Sequence, residues 1–112
     1  MVSNNCISYK MYDWLNYRIK QISSHLSEAF VFGSVARYSL NPNDCDLMLV
    51  AKDDISDTFW GHLRIQNLEL SKEFYSEFRV VLSIMLVTYF EYRETNGLMT
   101  RIKNGNRLIF EL

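Results

Sequence analysis

The chain has 112 residues, 12 Lys and Arg against 13 Asp and Glu, a formal net charge of −1, and apolar side chains at 48% of positions. That length and apolar fraction suit one globular domain with its own core, and exclude a disordered chain. The near-neutral charge excludes a protein that holds nucleic acid mainly by non-specific attraction to phosphates, without excluding RNA presented by a partner. Cys6 and Cys45 are the only cysteines, and His25 and His62 have no cysteine beside them, so neither a disulfide framework nor a zinc site is expected. No leader-like N-terminal run is seen, and no apolar stretch nears the roughly 18 residues that span a bilayer. A soluble, cytoplasmic protein is therefore expected.

Taken in chain order, Ile7, Met11, Leu15, Ile19, Ile22 and Leu26 recur at three- and four-residue steps and predict a helix over 7–26, with Trp14 beside the stripe. A first strand is expected over Ala29–Phe32. A short helix follows from Ser34 to Tyr38, and a turn at Asn41-Pro42-Asn43 leads into a second strand over Cys45–Ala51. Asp53-Asp54 and Ser56-Asp57 read as the capped start of a long helix reaching Phe78. Its buried side is expected to carry Phe59, Leu63, Leu70, Phe74 and Phe78, whose helical spacing points to core packing rather than base stacking. Val80–Val87 is almost continuously apolar, as in a strand that is central or covered on both faces. A last helix over 88–104, a turn at Asn104-Gly105-Asn106 and a tail from Arg107 to Leu112, either a short strand or a docked apolar end, complete the chain. The whole reads as a single domain, 1–112, of α/β (α+β) class: a mixed sheet packed against helices, in the order α-β-α-β-α-β-α.

One stretch carries chemistry. The first strand runs into Gly33-Ser34, and nine residues separate Ser34 from Asp44 in Asp44-Cys45-Asp46. Residues i and i+2 of a strand share a face, so Asp44 and Asp46 would aim at one spot, as a divalent cation requires. Cys45 then points the other way, into the core. Gly33 permits close backbone approach, and amides opening the next helix can meet phosphate oxygens. A lone Asp-x-Asp is more often a polar turn feeding an edge strand; the preceding Gly-Ser argues for the functional reading.

The block Gly33-Ser34-Val35-Ala36-Arg37 … Asp44-Cys45-Asp46 resembles the Gly-Ser … Asp-x-Asp motif of the DNA polymerase β nucleotidyltransferase superfamily, and its small bacterial minimal nucleotidyltransferase domains above all. The resemblance implies a nucleotidyltransferase-like core in which Asp44 and Asp46 are catalytic and hold Mg2+. It assigns Gly33, Ser34 and Arg37 to the nucleotide, an NTP with ATP among the candidates, and implies transfer of a nucleoside monophosphate to a hydroxyl of a protein, RNA or small molecule. It also makes a helical partner of the HEPN type plausible. Three departures stand out, the first being Cys45, which stands within the Asp-x-Asp where an aliphatic residue is common. Tyr38 occupies a position where glycine is common. The strand expected to bring a third carboxylate has none, its place falling at Ser83, which reads equally as a small core residue, with Glu77 before the strand and Glu91 after it. The second reading is accordingly a catalytically impaired antitoxin or regulatory subunit acting through a partner.

Overall fold

The computed structural model describes residues 6–94 and 97–112. Helix α1 (Ile7–Ile19) is followed by a 3-10 turn (Lys20–His25), then β1 (Leu26–Phe32), α2 (Gly33–Ala36), β2 (Asp44–Ala51), α3 (Asp57–Phe78), β3 (Val81–Thr88), α4 (Tyr89–Tyr92), α5 (Gly97–Asn104) and β4 (Leu108–Ile109). The four strands form one mixed sheet in the order β3-β2-β1-β4. β1 is antiparallel to β2 and to β4, whereas β2 and β3 are parallel because α3 carries the chain back between them. This is the mixed α+β architecture that the pattern predicts, with the tail resolved as a short edge strand.

Alternation divides the sheet into two unlike faces. Ala29 and Val31 of β1, Cys45, Leu47 and Leu49 of β2 and Leu82 of β3 join Met11, Leu15 and Ile19 of α1 and Leu70 and Phe74 of α3 in the larger core. Trp14 is half-buried there and meets Phe74 and Phe78 edge-on, at 5.6 and 6.0 Å between ring centroids. On the opposite face, Phe30, Met48 and Val50 pack with Tyr92, Met99 and Ile102 of α4 and α5, and Phe32, Met85 and Val87 border that cluster. The helices cover only part of this second face. The beginnings of β2 and β3, where Asp44, Asp46 and Ser83 lie, extend past the cover.

Several expectations are corrected. The first helix stops at Ile19 rather than 26: the chain tightens into the 3-10 turn, where the Ser23 hydroxyl donates to the Lys20 carbonyl at 3.0 Å. Leu26 keeps its place in the core but opens β1, which is three residues longer than expected and begins with a register irregularity between Leu26 and Glu28. The helix after β1 begins at Gly33 and ends at Ala36, with Tyr38 beyond it at φ 58°.

Ser56 caps α3, accepting from the Phe59 amide at 3.3 Å, but Asp53 does not serve that helix. Asp53 accepts the Phe90 amide of α4 at 2.9 Å, a pairing 37 residues away that no local pattern reveals. Phe59 is 46% exposed. At 22 residues, α3 is roughly 33 Å long, and in its first turn the Phe59 ring lies against His25 and against His62 one turn further along the same helix, outside the core clusters. β3 is apolar because both of its faces meet partners, yet it is an edge strand and not a central one. The final helical stretch comprises two helices, and positions 95 and 96 between them lie outside the described residues. Among the described residues, no helix is long and apolar enough to cross a membrane.

Candidate functional site

The predicted residues meet where β1 ends and β2 begins. β1 is antiparallel to β2, so its last residue, Phe32, pairs with Asp46; β3 is parallel, so Ser83 pairs with Asp46 from the other side. Asp44 and Asp46 are half-buried on the partly covered face, and Cys45 between them is completely buried in the larger core. Burial, followed by the charges of Asp46 and Asp44, pushes the Cys45 thiol up to about 12, which leaves it protonated and inert.

Gly33 turns the chain at φ 73°. A Cβ added there would run into the Asp46 carboxylate, with Cγ at 3.4 Å and Cβ at 3.7 Å. Only glycine therefore allows the backbone to lie against that carboxylate. The Ser34 hydroxyl donates to the main-chain carbonyl of Asp44 at 3.4 Å. That long bond ties the start of α2 to the start of β2, so Ser34 fastens the loop as well as bordering the site. The Ser39 amide, donating to the Ser34 carbonyl at 3.1 Å, closes the same loop.

The electrostatics follow from this packing. The Asp46 carboxyl is raised above the ordinary carboxylate range by burial first and by the Asp44 charge second, while the Arg37 guanidinium pulls it down. Two carboxylates set on one face and partly desolvated repel each other. An added cation relieves that repulsion, and oxygen ligands of this kind suit magnesium. The donor set stops at two, however: the described residues contain no cluster of three Asp, Glu, His or Cys that could hold a metal. Ser83 is exposed beside Asp46 with a neutral hydroxyl. Glu91 does not fill the gap, because its carboxylate accepts the Thr88 amide at 2.9 Å and the Thr88 hydroxyl at 3.1 Å at the far end of β3. Glu77 is exposed near the end of α3.

The structure thus brings together Gly33, Ser34, Asp44, Asp46 and Ser83, with the charge of Arg37 acting on Asp46. Four surface clefts of about 230–450 Å³ are lined by other residues and do not include the aspartates. The site lies instead on the open end of a sheet face. Tyr38 is the position whose meaning the sequence hinted at without resolving: its left-handed backbone is one that glycine adopts without cost.

The fold is similar to that of a protein from Sulfolobus solfataricus, solved at 1.40 Å and named as a candidate nucleotidyltransferase. The two share 20% sequence identity with a TM-score of 0.51, over 92% of this chain and 81% of that one. At that identity the likeness speaks for the fold: a nucleotidyltransferase-like mixed sheet. No model of a known protein family matches the chain, and no curated protein sequence does.

Proposed function

We propose that this chain binds a nucleoside triphosphate with magnesium at Gly33, Ser34, Asp44 and Asp46 and transfers a nucleoside monophosphate to a hydroxyl acceptor. The observation that carries the reading is Gly33 turned at φ 73° directly against the Asp46 carboxylate, with Asp44 on the same face of β2. That geometry supports a phosphate chain passing close to the backbone beside a bound cation. Asp44 and Asp46 would hold magnesium, which when bound would neutralise phosphate charge and favour loss of pyrophosphate. Arg37, exposed just after α2, supplies positive charge for the same phosphates. In the transfer, the acceptor oxygen bonds to the α-phosphorus, the bond to pyrophosphate breaks, and the hydroxyl proton must leave. No third carboxylate among the described residues stands ready to receive it.

That deficit favours a second reading: a nucleotide-binding, catalytically impaired antitoxin or regulatory subunit, cytoplasmic and paired with a helical protein of the HEPN type. The specific observation is Ser83, neutral and exposed where the third ligand would stand. Isothermal titration of ATP with and without magnesium tests both readings at their common step. Magnesium-dependent binding that Asp44→Asn abolishes is expected, and its absence in the wild-type chain would refute the site. Pyrophosphate release then separates the two. Because Ser83 is exposed, Ser83→Asp should fold and tighten magnesium-dependent ATP binding. No change in that affinity would remove Ser83 from the site.

A further inference from the structure

The two edges of the sheet are unlike. β4 is two residues long, and the Tyr12 hydroxyl donates to its Ile109 carbonyl at 2.8 Å, which blunts that edge. β3 has eight residues, Val81-Leu82-Ser83-Ile84-Met85-Leu86-Val87-Thr88, with no charge, no proline and no glycine. Among the described residues, no strand lies on its side away from β2. Among the described residues only the Ser71 hydroxyl reaches in from the neighbouring helix, donating to the Leu82 carbonyl at 3.3 Å. A long, uncharged, regular edge is a template for another strand, and proteins ordinarily guard such edges with charge, proline or a bulge.

Beside this edge run two clefts between α3 and β3. One, about 450 Å³, is lined by Trp60, Arg64, Asn67, Leu68, Ser71, Ile84 and Leu86; the other, about 360 Å³, shares Ser71 and continues past Lys72 and Tyr75 to Val81 and Leu82. Together they flank the strand along most of its length. Leu68 is 66% exposed and Val81 54% exposed, and the Asn67 side-chain oxygen in the wall has no hydrogen-bond partner. The only charged residues lining either cleft are Arg64 and Lys72, both cationic and both exposed.

We infer that the β3 edge is a docking site for an extended strand of a partner protein, with apolar alternate side chains and carboxylates that meet Arg64 and Lys72. Main-chain hydrogen bonds to β3 supply the affinity and the α3 cleft selects the side chains, as in strand addition generally. A second copy of this chain is the poorer occupant. β3 has no carboxylate of its own, and pairing two such edges gathers the cationic clefts of both copies. The inference does not depend on nucleotide binding.

The probe is a blocked ten-residue peptide of alternating valine and threonine with glutamate at both ends, compared with its lysine-ended twin. Binding is followed by amide NMR shifts and by hydrogen exchange of the β3 amides. The glutamate peptide should bind at least tenfold more tightly, protect β3 amides and leave β4 unchanged. Arg64→Glu combined with Lys72→Glu should reverse the preference, and Leu68→Asn, an uncharged change at an exposed cleft position, should weaken both peptides; circular dichroism checks that each variant folds. Equal binding of the two peptides, or no effect on β3 up to the peptide's solubility limit, overturns the proposal. So does sedimentation showing a dimer whose β3 amides are already protected without peptide.

Discussion

Replacing Gly33 by alanine tests the geometry of the site without any ligand. Two independent costs arise. An L-residue held in the left-handed region loses about 1–2 kcal/mol. The added methyl also meets the Asp46 carboxylate, and driving a packed side chain off its rotamer costs about 1–3 kcal/mol more. Together, Gly33→Ala should destabilise the chain by about 2–5 kcal/mol. Truncating the obstacle separates the two. In an Asp46→Ala background the nearest remaining Asp46 atom is Cβ at 3.7 Å, an ordinary contact, so only the backbone cost of about 1–2 kcal/mol should remain. Urea unfolding of the four variants in EDTA closes the double-mutant cycle, with an expected coupling of about 1–3 kcal/mol. Equal costs in both backgrounds would show that Gly33 and the Asp46 carboxylate do not touch, and the site as described would fall.

Asp46→Asn should stabilise the metal-free chain at neutral pH, since it removes a carboxylate that burial and Asp44 disfavour. Because the folded state holds that proton more tightly than the unfolded chain, wild-type stability should fall as pH rises from the ordinary carboxylate value of about 3.9 through the raised folded value. Stability profiles that superimpose for wild type and Asp46→Asn would contradict this. Asp53→Ala should cost about 1 kcal/mol in urea unfolding by releasing the Phe90 amide, whereas Asp53→Asn, which keeps an acceptor, should cost less than half of that. The 3.8 Å contact of Asp53 with Arg93 is exposed and adds little. Arg79, exposed at φ 57° where α3 ends, should stabilise the chain by roughly 0.5–1 kcal/mol when changed to glycine, read as a higher urea midpoint at unchanged slope.

Local rules were enough for much of this molecule. The stripe of Met11, Leu15 and Ile19 specified the buried side of α1. Ser56 and Asp57 marked the start of α3, and the two-residue spacing of Asp44 and Asp46 placed them on one face with Cys45 in the core. These features depend on backbone period and capping chemistry, which act over a few residues and are written into the order of side chains. Strand β3 shows where that reasoning ends. Its apolar run reported correctly that both faces meet packing partners, but contact on the faces says nothing about what lies along the edges, so a central and an edge strand look alike in sequence. The same holds for Asp53, whose amide partner lies 37 residues away, and for Gly33, whose need to be glycine comes from a carboxylate on the next strand. The sequence by itself determined most of the elements and the residues able to do chemistry, though not where the first helix ends, that the last one is two, or that Phe59 stays outside the core. Only the tertiary structure decided which of them meet, because sheet order and helix cover depend on the packing of segments far apart in the chain, and that packing left Asp44, Asp46 and Ser83 at the open end of one face.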